Sequence, residues 1–301
     1  MTLPGSLTRI LEEDYNIKIS KMEPVSGGSI NYAAKLRSGR NRFFIKWNDS
    51  APEDMFEKEA AGLKILRSAD TGLVIPEVIA HRSPGKNTPG FLIMEYVDPQ
   101  RGDGTASKNL GKELARLHNH KSDRFGLDHD NYIGSLCQSN TFHSSWISFF
   151  IHERIEPQLK MAVDSGKTGK KSTKHWENLS VQLVDIFPET RPSLLHGDLW
   201  GGNYFFNNKH QPVLIDPAVY YGHPEMELSF TTLFGGFSEQ FYDVYAFEAS
   251  LQPGFASRCS MTVLKWPSSR STSVSPRARR GPKSTSSESG RRCPARERSI
   301  S

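Results

Sequence analysis

The chain has 301 residues, 36% of them hydrophobic, which is enough to build a core and about twice the length of a typical domain. Its apolar runs fall well short of the roughly 18 residues a membrane span needs, and the N-terminus lacks a signal-peptide core, so a membrane role is excluded and a cytoplasmic location expected. The formal net charge of +5 is uneven: residues 267–301 hold nine Lys or Arg against two acidic residues, leaving −2 on residues 1–266, so the basic balance does not point to a nucleic-acid partner.

Residues 3–15 carry helix-like apolar spacing, and residues 17–25 lead as a strand into Ser26-Gly27-Gly28-Ser29-Ile30-Asn31, a strand, tight turn, strand pattern. Adjacent glycines let a backbone approach closely and expose N–H groups, so Gly27, Gly28 and Ser29 are candidates to cover nucleotide phosphates. The run is neither G-x-G-x-x-G nor a Walker loop, and alone it reads as an ordinary hairpin. One strand further, Arg42-Phe43-Phe44-Ile45-Lys46-Trp47 sets a lysine among bulky β-formers, making Lys46 the candidate phosphate lysine. Residues 55–66 form an amphipathic helix whose buried side, marked by Ala60, Leu63 and Leu66, includes or borders Glu59 and leaves Glu57 toward solvent. Glu59 is therefore the expected partner of Lys46.

Residues 74–80 and 91–97 read as strands separated by a turn-rich segment. The second ends in Glu95, Tyr96 and Val97, where backbone groups could hydrogen-bond a purine. Leu110, Leu114 and Leu117 mark a helix ending near His118, read as structural. Residues 142–187 predict helices broken over 165–174, with Trp146, Phe149 and Phe150 near one face and Arg154 a turn on.

Next comes Leu195-His196-Gly197-Asp198-Leu199-Trp200-Gly201-Gly202-Asn203, then Leu214-Ile215-Asp216 after a short turn. Phosphoryl transfer needs a carboxylate to accept the substrate hydroxyl's proton and oxygen ligands for the magnesium on the nucleotide. Asp198 is the candidate base, Asn203 and Asp216 the candidate Mg2+ ligands, and ATP the implied nucleotide. Singly, each reads as an Asx-turn or helix cap; together they match the H-x-D-L-x-x-x-N loop and metal Asp of protein kinases. Tyr220, Tyr221 and His223 follow, either facing a sugar or packing.

His196-Gly197-Asp198-Leu199-Trp200-Gly201-Gly202-Asn203 and Ile215-Asp216-Pro217-Ala218-Val219-Tyr220-Tyr221-Gly222-His223 resemble the fructosamine kinase (ketosamine-3-kinase) family. Asp130-Asn131-Tyr132-Ile133-Gly134 and Leu233-Phe234-Gly235-Gly236-Phe237 extend the resemblance. It implies an α+β, protein-kinase-like two-lobed fold, with a small β-rich lobe over residues 1–97 and a mainly helical lobe over 98–258. It also implies ATP and Mg2+ as cofactors, and phosphorylation of the 3-hydroxyl of a small-molecule or protein-bound ketoamine. Asp198 would be the base, Asn203 and Asp216 would hold magnesium, Lys46 with Glu59 the phosphates, and Glu95 to Val97 the adenine. Pro217-Ala218 stands where protein kinases have Phe-Gly, and no A-P-E follows, which argues against protein-kinase activity. Aminoglycoside or choline kinases share the loop and stay open as alternatives, as does a nucleotide-binding module with impaired catalysis. The resemblance fades after residue 255. Residues 259–301, rich in Ser, Arg and Pro, are expected to be disordered and have the composition of a chain read in a wrong frame. Cys137, Cys259 and Cys293 are expected as unpaired thiols, and nothing in the sequence bears on oligomeric state.

Overall fold

In the computed structural model, residues 2–25, 30–166, 183, 186–255 and 258 are described. Strands β1 (Lys21–Pro24), β2 (Tyr32–Ser38), β3 (Asn41–Asn48), β4 (Val78–Arg82) and β5 (Gly90–Glu95) form an antiparallel sheet in the order β1-β2-β3-β5-β4. Because successive strand residues face opposite sides, Ile45 and Trp47 of β3 enter a core with Leu36, Phe91 and Ile93. Helix α1 (Gly5–Glu13) closes that core with Leu7 and Leu11. Phe44 and Lys46 are left on the other face, toward the cleft and α2 (Met55–Ser68). The stripe Met55, Phe56, Ala60, Leu63, Leu66 buries α2 in the largest core cluster. The expected strand at 74–80 starts later, because Pro76 cannot donate to the ladder; Val74 instead makes a parallel bridge to Val213.

Beyond the sheet, α3 (Gly104–His118) is capped by Asp103, whose carboxylate accepts from Ala106 N–H at 2.8 Å. It packs on α7 (Glu239–Glu248), so closely that a Cβ on Gly111 would lie 2.4 Å from the Phe241 carbonyl oxygen. Three two-stranded pieces carry the loops of interest: β6 (Asn131–Ile133) with β7 (Leu136–Gln138), β8 (Ser193–Leu195) with β11 (Tyr220–Gly222), and β9 (Tyr204–Phe206) with β10 (Pro212–Leu214). Between β11 and α7 lies α6 (Pro224–Phe234).

The helical stretch expected from residue 142 begins instead at α4 (Trp146–Phe149), where the Ser145 hydroxyl caps Ser148 N–H. It widens into a π-helical turn (Phe150–Ile155) before α5 (Glu156–Asp164). Trp146, Phe149 and Phe150 pack in a second core cluster. Residues 167–182 and the Ser/Arg/Pro-rich segment 259–301 lie outside the described residues. Cys137 is disulfide-bonded, which corrects the expectation of unpaired thiols: separation along a chain says nothing of separation in space. The expectations for Cys259 and Cys293 fall outside the described residues. Among these residues no helix is long and apolar enough to cross a membrane.

Candidate active site

Lys46 is 5% exposed, and its Nζ donates to Glu59 Oε1 on α2 and to Asp216 Oδ1, each at 2.5 Å. Burial disfavours the ammonium, but the carboxylates of Asp216 and Glu59 outweigh it and the lysine's pKa is raised. Lys46 therefore carries its full charge into the cleft.

The loop between β8 and β9 is built around a neutral histidine. His196 is fully buried; its Nε2–H donates to the Ile215 carbonyl at 2.9 Å and its Nδ1 accepts from Asp198 N–H at 3.3 Å. Burial lowers its pKa. Gly197 has φ +85°, and a Cβ there would lie 1.9 Å from the Ala218 carbonyl oxygen, so no other residue fits without moving the loop. Asn203 Nδ2 donates to the Asp198 carbonyl at 2.8 Å and to its carboxylate at 3.0 Å. Burial, with Asp216 and Glu227 nearby and against the hydrogen bond from Asn203, pushes Asp198 up to about 7. A carboxylate near neutrality is well matched to taking a proton. Asp216 follows β10 with φ +57°, a left-handed conformation that Asp tolerates.

Lys46, Glu59, Glu95, Tyr96, Val97, Asp198, Asn203 and Asp216 all line one cleft of about 620 Å³. At its inner edge Glu95 N–H donates to the Glu77 carbonyl and Tyr96 N–H to the Arg42 carbonyl. Of these three amides, Val97 N–H alone has no hydrogen-bond partner among the described residues, which narrows where a purine could bond. Gly27, Gly28 and Ser29 lie outside the described residues. Among the described residues no cluster of three or more His, Cys, Asp or Glu could hold a metal. Asp216, one of whose oxygens is taken by Lys46, and the Asn203 amide oxygen, which accepts no hydrogen bond there, both line the cleft and are donors of the kind a magnesium ion that keeps phosphate and water ligands could use.

The residues that sequence reasoning missed stand behind the loop. Glu227 of α6 accepts from the backbone N–H groups of His196 (3.2 Å) and Gly197 (2.7 Å) and from His118 Nε2 (2.8 Å). His118 Nδ1 lies 2.6 Å from the Tyr245 hydroxyl. The available signal was an acid between Met226 and Leu228, both buried. Asn131 of β6 donates to the Val219 carbonyl and Gln138 of β7 to that of Ala218, tying the β6–β7 turn to the segment after Asp216. His223 caps α6 with Nδ1 and donates from Nε2–H to the Pro188 carbonyl; burial takes its pKa down to about 4. It packs with Trp146 and Phe187, and Tyr220 stacks on Phe149.

The pattern of the fructosamine kinase family matches residues 6–265. A probable ketoamine kinase of Lactiplantibacillus plantarum is 36% identical over 242 residues, 80% of this chain and 84% of that one. The chloroplastic protein-ribulosamine 3-kinase of Arabidopsis thaliana is 36% identical over 261 residues, 85% of this chain and 78% of that one. Among solved structures, a candidate fructosamine-3-kinase of Thermobifida fusca superposes with TM-score 0.75 at 26% identity, covering 87% of this chain and 90% of that one. Aminoglycoside phosphotransferases, such as one at TM-score 0.58 and 14% identity, share the protein-kinase-like fold alone.

Proposed function

The chain belongs to the fructosamine kinase family, and from this membership and the cleft geometry we propose that it transfers the γ-phosphoryl group of ATP to the 3-hydroxyl of a ketoamine. Convergence of Asp198, Asn203, Asp216 and the Lys46–Glu59 pair on one cleft carries the reading. Asp198 accepts the proton of the acceptor hydroxyl as its oxygen bonds to the γ-phosphorus and the bond to ADP breaks. Asn203 orients that carboxylate through its amide N–H. Lys46, held by Glu59, meets the phosphates. Magnesium entering with the nucleotide would be held by Asn203 and Asp216 and would supply charge neutralisation on the phosphates. The adenine sits against Glu95 to Val97, and the lobes divide after residue 97.

The acceptor follows from the family; the geometry alone fits any small alcohol. Incubation with ATP, magnesium and a panel of ketoamines, aminoglycosides and choline, read by phosphorus NMR, tests it. Phosphorylation of ketoamines is expected. Turnover restricted to aminoglycosides or choline would replace the substrate class, and ATP binding with no turnover would identify a binding module.

A further inference from the structure

The β6–β7 hairpin, which begins within the 130–134 run, touches three parts of the site. Its base is fixed to the segment after Asp216: the Asn131 amide donates to the Val219 carbonyl at 2.7 Å, and the Gln138 amide donates to the Ala218 carbonyl at 3.2 Å and to Asn131 Oδ1 at 2.9 Å. At its turn Gly134 has φ +59°, and a Cβ there would lie 3.2 Å from Cδ1 of Ile30, the residue after Ser29. Between base and turn, the Tyr132 hydroxyl donates to Asp54 Oδ1 at 2.6 Å. Asp54 lies before the division of the lobes and Tyr132 beyond it, so this bond joins them.

Asp54 is the N-cap residue of α2. An Asp there ordinarily accepts from a backbone N–H of the first turn, yet Asp54 makes no such side-chain bond. Its carboxylate reaches Tyr132 instead. Glu59 follows five residues later, a rise of ~7.5 Å along the same helix, so the bond fixes α2 less than two turns from the carboxylate that holds Lys46. The apolar stripe that buries α2 is held by a non-directional force and does not by itself set the helix's rotation about its axis; a hydrogen bond, being directional, does. Protein kinases position the corresponding helix with the help of an activation loop. This chain lacks the A-P-E segment that closes one, and the hairpin stands in the place where such support is needed.

We propose that Tyr132 is a positioning residue for phosphoryl transfer: through Asp54 its hydroxyl fixes the rotation of α2 and keeps Glu59 on Lys46. The proposal rests on the kinase reading and adds to it a residue that acts through α2. Its ring lines the cleft, so a direct contact with the acceptor is the competing role that the test must separate.

The test is a mutant cycle read on kcat/KM for ATP, with the acceptor that the panel above identifies, and on ATP affinity by titration calorimetry, which needs no acceptor. Tyr132→Phe keeps the ring in its core cluster and removes the hydroxyl. It should lower kcat/KM for ATP about tenfold, the usual worth of one hydrogen bond to a charged group, and weaken ATP binding in the same direction, while KM for the acceptor changes little. Asp54→Ala should give the same loss and the double variant no more. Asp54→Asn, which keeps an acceptor oxygen, should recover most of what Asp54→Ala loses. In a Glu59→Gln background Tyr132→Phe should cost less than about twofold, because the contact it supports is already gone. Melting curves report which variants fold, and if Asp54→Ala does not, the cycle of Tyr132→Phe with Glu59→Gln decides. A loss in Tyr132→Phe that folded Asp54→Ala does not share would make Tyr132 a substrate contact. A full penalty retained in Glu59→Gln would make its role structural alone. Either result, or no loss in Tyr132→Phe, overturns the proposal. A wild type that binds ATP and phosphorylates no member of the panel overturns the kinase reading instead, with the coupling of Tyr132 to Glu59 still read on ATP affinity.

Discussion

Asp198 and Glu227 are carboxylates on opposite sides of one loop, and their environments drive them in opposite directions. Both are penalised by burial. Asp198 has a single side-chain donor, from Asn203, and is pushed up to about 7. Glu227 is the more enclosed, yet donors from His118, His196 and Gly197 hold its pKa below the usual value. The donors and charges around each carboxylate decide the sign, not its depth: hydrogen bonds and neighbouring histidines at Glu227, against one donor and the carboxylates of Asp216 and Glu227 at Asp198. The front of the loop thus carries an under-satisfied carboxylate able to accept a proton, and the rear carries a fully committed one that fixes the loop and adds a negative field.

The contrast can be broken from its front first. Asp198→Asn should lower kcat by about 10²–10⁴-fold, the usual worth of a general base, with ATP affinity retained in a direct binding measurement. From the rear, Glu227→Gln sets an amide NH2 against N–H groups that need an acceptor; displacement of the loop is expected to lower kcat by about 10²-fold while the KM for ATP changes little. The same variant removes a charge that raises Asp198, so the acid limb of its kcat profile should move to lower pH. A limb that stays in place would show that Glu227 acts sterically alone.

Proton linkage sharpens the comparison more gently. In the wild type, kcat/KM should rise through about pH 7 as Asp198 ionises. Between the ordinary aspartate value of 3.8 and about 7 the folded state binds more protons at this group than the unfolded state. Its contribution to stability is therefore complete below that window and lost as pH rises through it. The melting-temperature advantage of Asp198→Asn over wild type should accordingly grow from pH 4 to pH 8. The smallest effect is expected from Tyr245→Phe, which removes one buried hydrogen bond to His118 and should cost about 1 kcal/mol in denaturant unfolding, with kcat nearly unchanged.

The Lys46–Glu59 contact was legible because strand alternation and helical periodicity place both residues by local rules. The loop from His196 to Asn203 was legible because its polar groups are close in sequence and bond to one another. Glu227 and His118 are 109 residues apart, and no local pattern announces their pairing. The π-helical turn was equally hidden, since Phe149, Phe150 and Arg154 fit ordinary helical spacing and only packing against Tyr220 shows how Arg154 is aimed.

By itself, then, the sequence determined the family, the two-lobed α+β fold and the short-range arrangement of catalytic-loop residues, because periodicity and contiguous spacing act through neighbouring backbone. Only the tertiary structure decided the protonation of Asp198, the anchoring of its loop by Glu227 and the bond between Tyr132 and Asp54. Each of those depends on how much water is excluded and which distant donors arrive in its place, quantities that exist only once the chain has closed on itself.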